Sequence, residues 1–281
     1  MAIKIQYEPE IVKRGTTRLD RVEDGDTIVI KEGIRTLGID APEIHFPTYN
    51  TPPAKHDKLL ADLSKRLKQL RVQDGLARYL APRLVNSAGT RHGAAGIEAT
   101  EALQDMMAKR LERRSEKTGK VLTPRDLYIQ VASEVFDKYG RVLAYIAPEY
   151  TRQERRQIPP AKRPTFNLEM LQAGWATSII IYPNIPKPAD LALVQAVIEK
   201  ARTSPSGMWR DKKLLLGYEF RACVRLAQGK KDWITRYCVD MTTARLYEPQ
   251  DYYQVLPENR IFVEPKKLDE AVQKLGLIRE S

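Results

Sequence analysis

The chain has 281 residues, 42% hydrophobic and 30% charged, with a formal net charge of +11. That length allows one large or two small domains with a sizeable core, and the ordinary apolar fraction argues against a disordered or fibrous chain. No apolar run is long enough to span a bilayer, and the excess of cations favours a polyanionic partner, although charge alone does not separate nucleic acid from an anionic surface.

Residues 1–16 hold a short alternating segment around Ile3 and Ile5, expected to be a strand. They lack the apolar stretch of a signal peptide, so the chain is expected to be cytoplasmic unless a leader has been trimmed away. The stretch at 21–43, RVEDGDTIVIKEGIRTLGIDAPE, organises the rest of the chain. Asp24-Gly25-Asp26 is turn chemistry, and 27–30 is a β-branched, apolar strand. Lys31-Glu32-Gly33 offers a hairpin turn, 34–39 a return strand, and Pro42 ends it because it has no N–H for a ladder.

Such a hairpin would gather Asp26, Arg35, Asp40 and Glu43. Two carboxylates suit a hard divalent cation, a guanidinium suits a phosphate, and a third carboxylate can take a proton from water. Together they point to phosphodiester hydrolysis; a solvated charged hairpin is the plainer alternative. Arg35 and Asp40 are an odd number of residues apart, which on an ideal strand sends them to opposite faces. Either Gly38 marks a bulge or the strand ends before Asp40.

Pro47, Pro52 and Pro53 mark an irregular segment, and Leu59, Leu60, Leu63, Leu67 and Leu70 then recur at helical spacing. The other face carries Lys55, Lys58, Lys65, Arg66, Lys68 and Arg71, either a solvated face or an arm that grips substrate. Pro82 and residues 86–96 are expected to break this helical region, and 97–114 to form the next helix. Strands are expected at 128–135 and 142–146 around a turn at 137–141. Residues 152–163 are expected to be an exposed loop, 167–173 a short helix capped by Gly174, and 189–202 a longer helix.

Three separated motifs carry a family likeness. DGDT at 24–27, RTLGIDAPE at 35–43 and FDKYGR at 136–141 followed by VLAY, with Asn167-Leu168 and Gly174-Trp175-Ala176 beyond, resemble the staphylococcal nuclease (thermonuclease-like) family over most of residues 17–212. The resemblance implies an α+β fold, a five-stranded OB-type β-barrel with packed helices. It divides the chain into a nuclease-like domain at 1–216, carrying a helical insertion at about 44–95, and an appendage at 217–281. It also implies that the Asp26 and Asp40 side chains and the Ala41 carbonyl hold Ca²⁺. Glu43 would act as general base, Arg35 and Arg141 would stabilise the phosphate in the transition state, and Tyr139 and Tyr182 would lie at the nucleotide. The family often has two tyrosines near the latter position, and here the first is Ile180. The reaction implied is cleavage of DNA or RNA at the 5′ P–O bond, leaving 3′-phosphates. The alternative is a catalytically inactive module that binds nucleic acid or protein.

In the appendage, 218–226, 233–241 and 252–263 have strand-like composition, and Leu268, Ala271, Val272 and Leu275 mark a final helix. It is either an independent module, with a protein partner of its own, or an extension packed on the main body. Cys223 and Cys238 are too few for a disulfide scaffold and lack zinc-site spacing; they are two half-buried strand residues or a single bridge. The histidines, His45, His56 and His92, are scattered. His45, close after Glu43, is either a loop residue or a substrate contact.

Overall fold

A computed structural model describes residues 18–115, 117–137 and 139–279. The chain begins with strands β1 (Arg18–Val22), β2 (Ile28–Lys31), β3 (Ile34–Thr36) and β4 (Ile39–Asp40). Helices α1 (Asp57–Arg66), α2 (Asp74–Leu80) and the long α3 (Ala88–Leu111) come next. A small ribbon, β5 (Arg113–Arg114) with β6 (Val121–Leu122), leads into β7 (Leu127–Phe136) and β8 (Val142–Pro148). Then come α4 (Arg152–Gln157), α5 (Phe166–Gln172), β9 (Thr177–Ser178), β10 (Ile180–Ile181) and α6 (Pro188–Thr203). The remainder is α7 (Gly217–Ala227), β11 (Tyr237–Asp240), β12 (Arg245–Tyr247), β13 (Arg260–Val263), α8 (Leu268–Leu275) and β14 (Ile278–Arg279). The class is α+β. Among the described residues no helix is long and apolar enough to cross a membrane. The strand expected around Ile3 and Ile5 lies outside the described residues.

The stretch at 21–43 is not one hairpin. The Asp24-Gly25-Asp26 turn joins β2 to β1, with the Glu23 and Asp24 N–H groups donating to the Thr27 carbonyl. Lys31-Glu32-Gly33 then carries the chain into a different sheet, where β3 runs parallel to β8 with Ile34 opposite Val142, and β8 runs antiparallel to β7. β3 stops at Thr36 because Gly38, at φ +76°, turns the chain; β4 resumes against β9. The strand therefore ends before Asp40, one of the two outcomes the odd spacing required.

The five-stranded barrel is not closed among the described residues: β1–β2, β3–β8–β7 and β4–β9 are separate pieces. The reason is local. β3 and β4 are cut short by the Gly38 turn, and the β7–β8 register shifts between Val131 and Phe136. A five-stranded sheet does form, but it is open and lies elsewhere, in the order β10-β13-β11-β12-β14.

The helical region does break after Pro82, at 84–87, where Asn86 and Ser87 take positive φ, but the break is short: α3 begins at Ala88 and runs through 88–96. Its glycines are spaced as one helix face, at 89, 93 and 96. A Cβ at Gly89 would lie 2.1 Å from the Pro53 carbonyl oxygen, and one at Gly96 would lie 2.7 Å from that of Glu43. Each glycine costs the helix about 1 kcal/mol against alanine. In return the loop between β4 and α1 lies directly on the α3 backbone.

Residues 217–279 pack on the main body. Leu60 and Leu63 of α1, Leu76 of α2, Phe220 and Val224 of α7 and Phe262 of β13 share one buried cluster. The basic face of α1 is solvated: Lys58, Lys65 and Arg66 are exposed, as are the neighbouring Lys55, Lys68 and Arg71. Residues 218–226 are helix, not strand, since Phe220, Cys223, Val224 and Ala227 follow the helical period. Of 252–263, only β13 is strand. Residues 152–157 form α4 rather than loop, started by a capping box in which Thr151 and Glu154 satisfy each other's backbone N–H groups. Cys223 and Cys238 are buried free thiols on α7 and β11; burial pushes the Cys238 thiol up to about 12.

A buried polar cluster ties these layers together. Arg260 on β13 is 1% exposed, donates to the Val255 carbonyl (2.8 Å) and the Tyr218 hydroxyl (2.5 Å), and lies 3.7 Å from Glu219. Glu219 on α7 accepts from the Tyr79 hydroxyl at the end of α2 (2.9 Å) and from the Leu216 N–H (3.0 Å). Removing one member leaves a buried charge unmatched. We expect Arg260→Met to lose about 3–5 kcal/mol of unfolding free energy by urea denaturation, with Glu219→Gln/Arg260→Met losing less than the sum of the two single variants.

Candidate active site

Arg35 on β3 and Asp40 on β4 meet across the Gly38 turn. Arg35 Nη2 donates to Asp40 Oδ1 at 2.8 Å and to the Ile39 carbonyl at 3.1 Å. The turn itself is pinned by Asn167 at the start of α5. Its side-chain amide donates to the Leu37 carbonyl (2.9 Å), and its carbonyl oxygen accepts from the Ile146 N–H of β8 (3.0 Å). That buried amide explains why Asn167 belongs with the sequence motifs.

Asp40 is fully buried, and its second counter-charge comes from a distant helix. Arg221 of α7 places Nη2 at 3.0 Å from both Asp40 oxygens and bonds Glu43 Oε1 through Nη1. Burial pushes the guanidinium towards losing its proton, but Asp40 and Glu43 outweigh burial and hold Arg221 charged above its ordinary range. α7 begins at Gly217, where a Cβ would lie 2.4 Å from Asp40 Oδ2 and 2.6 Å from the Ala41 carbonyl oxygen. Gly217 and Arg221 are four residues apart, one above the other on the same helix face. The positive end of the helix and its arginine thus act on the same carboxylate.

Glu43 is positioned through its backbone. Its N–H donates to His92 Nε2 at 2.9 Å, and His92 Nδ1 lies 3.1 Å from the Leu215 carbonyl, just ahead of α7. Those two bonds fix a neutral imidazole with the proton on Nδ1. The ring is stacked on Phe220, with centroids 4.0 Å apart. Burial lowers its pKa to about 3, from an ordinary 6.5. One histidine therefore joins α3, the Glu43 loop and the start of α7.

Arg141 immediately precedes β8, beside Gly33, at the entry to β3. Its guanidinium pairs with Asp137 (Nη2–Oδ2, 2.7 Å), which also accepts the Tyr139 and Arg141 N–H groups. Partial burial pushes the Asp137 carboxyl up, but the bonds from Arg141 and Tyr139 outweigh it and hold it below the usual carboxylate range. Tyr139 is exposed, its ring 5.5 Å from the Arg141 guanidinium carbon. Tyr182 is not brought to this corner; it is 6% exposed in the interior and donates its hydroxyl to Glu270 of α8. His45 is exposed on its loop.

Asp26 does not form a metal-holding group with Asp40 and Glu43 among the described residues. It sits in the β1–β2 turn, where its carboxylate accepts from the Thr27 hydroxyl at 3.2 Å. Among the described residues no group of three or more His, Cys, Asp or Glu is placed to hold a metal. The donor set expected for calcium does not fit here. Arg35 and Arg221 take both Asp40 oxygens, and Gly217 covers the Ala41 carbonyl. The motifs located Arg35, Asp40 and Glu43 but missed Arg221, Gly217 and His92. All three come from segments with no motif; only the four-residue spacing of Gly217 and Arg221 was visible, and it is common in any helix.

Comparison with known proteins identifies the family. The family described as staphylococcal nuclease homologue matches residues 33–211. The chain is 28% identical over 253 residues to endonuclease YhcR of Bacillus subtilis (strain 168), covering 87% of this chain and 15% of that protein. The chain thus spans about 15% of the length of that relative.

His92 carries a pH signature. Its folded pKa lies below its unfolded value, so the stability it confers is complete above about pH 6.5 and is lost as pH falls towards 3. Over that window each pH unit costs about 1.4 kcal/mol. Urea midpoints measured from pH 7.5 to 4.5 should fall more steeply for wild type than for His92→Gln.

Proposed function

Since the chain belongs to the staphylococcal nuclease homologue family, we propose that it is a nuclease hydrolysing phosphodiester bonds of DNA or RNA. The observation that carries the reading is the meeting of Arg35, Asp40 and Glu43 at one corner, with Arg141 beside the strand that bears Arg35. An OB-type barrel is the architecture the family implies, and β1–β4 with β7–β9 are the strands we assign to it. Residues 217–279 belong to the catalytic unit in this reading, because Gly217 and Arg221 act on Asp40.

In the proposed reaction the phosphate is held by Arg35 and Arg141, whose planar forks match its oxygens. Glu43 is fixed at Oε1 by Arg221, and we assign Oε2 to the attacking water, from which it takes a proton. The water's oxygen bonds to phosphorus, the 5′ P–O bond breaks with its electron pair leaving on the 5′ oxygen, which takes a proton from solvent water to become a hydroxyl, and the 3′-phosphate remains. The arginines meet the charge that builds on the phosphate. The +11 net charge and the solvated lysines and arginines around α1 give a polyanion a surface to approach. Tyr139, exposed beside Arg141, is the aromatic we assign to the nucleotide.

Digestion of single-stranded DNA, duplex DNA and RNA tests this, with product ends identified. Wild type should release 3′-phosphates. Arg35→Ala and Arg141→Ala should each lose about 10²–10³ in rate, and Glu43→Ala about 10²–10⁴. Folded wild-type protein that binds nucleic acid in a salt-sensitive way yet cleaves none of the three would leave a binding module instead.

A further inference from the structure

The site rests on a cation that the chain itself supplies. Asp40 and Glu43 carry two negative charges; Arg35 and Arg221 bring two positive ones. Asp40 Oδ1 accepts from both arginines, and Oδ2 accepts from Arg221 while facing the α carbon of Gly217. The carboxylate has no exposed surface left. A divalent ion would have to sit about 2.3–2.6 Å from those same oxygens, displacing guanidinium N–H groups that point at them. It would also enter beside two arginines and the positive end of α7, where like charges repel at low dielectric. Arg221 lies outside the residues matched to the family, so the family motif does not account for it.

We propose that Arg221 is the resident cation of this site: its guanidinium stands between Asp40 and Glu43 where a divalent ion would otherwise bind, and removing it opens a divalent-cation site on those carboxylates. The inference shares its residues with the nuclease reading but does not need turnover to be tested. Gly217 is the second half of the device, because any larger residue would push α7, and Arg221 with it, off Asp40.

The test is calorimetric titration of Ca²⁺ into the full chain, paired with melting curves in Ca²⁺ and in EDTA. Wild type should show no saturable calcium site up to about 10⁻³ M, the weak end of calcium affinities, and one melting midpoint in both solutions. Arg221→Ala, folded by circular dichroism, should gain a single site and a calcium-dependent rise in melting midpoint. Both should vanish in Arg221→Ala/Asp40→Asn. A wild-type calcium site abolished by Asp40→Asn would overturn the proposal, and so would a folded Arg221→Ala that binds none. If Arg221→Ala does not fold, wild type beside Asp40→Asn still decides. A protein that cleaves nothing would remove the nuclease reading and leave the titration to stand alone.

Discussion

A carboxylate buried without surface has to be matched charge for charge, and Asp40 sets that requirement for this molecule. Leaving it unpaired would cost several kcal/mol, a large part of the stability of an ordinary domain. The fold meets the requirement from two directions. Arg35 approaches along β3, and Arg221 approaches down the face of α7, with the helix start behind it. To bring α7 that close, the chain uses glycine at 217, and His92 joins the residue before Leu216 to the Glu43 backbone. The glycine face of α3 brings the loop that bears Glu43 into reach.

Local chemistry was legible in the sequence wherever the residues that decide it are neighbours. The Asp24-Gly25-Asp26 turn, the helix expected at 97–114 as far as Leu111, the pair β7 and β8 and the Gly174 cap at the end of α5 all follow from residues within a few positions of one another. The pairing of strands did not follow. β2 has a good turn on either side of it, and only the sheet decides which one closes a hairpin. The glycines at 89, 93 and 96 are breakers by propensity, yet the loop packed against them outweighs that cost. In α7 the aromatic and β-branched content suggested strand, while the spacing of Phe220, Cys223, Val224 and Ala227 was the better guide.

Half of the site was visible in the motifs. Arg35, Asp40, Glu43 and Arg141 are there because family chemistry leaves short, recognisable runs. Arg221, Gly217 and His92 act through tertiary contact with those runs, and nothing near them in sequence marks it. Asp26 shows the converse. Its motif is intact, but the β1–β2 turn that holds it belongs to a different sheet from Asp40.

The contact between Arg221 and Asp40 joins residues 181 positions apart. Closing so long a loop is slow, and a chain emerging from the ribosome must be extended past α7 before the contact can form. Until then Asp40 lacks one of its two counter-ions, and the loop carrying Glu43 lacks its anchor at Leu215. A growing chain therefore has no assembled corner around Asp40 until α7 has been made and has folded back onto it. The docking of α7 onto Asp40 is thus the folding step that completes this corner of the molecule.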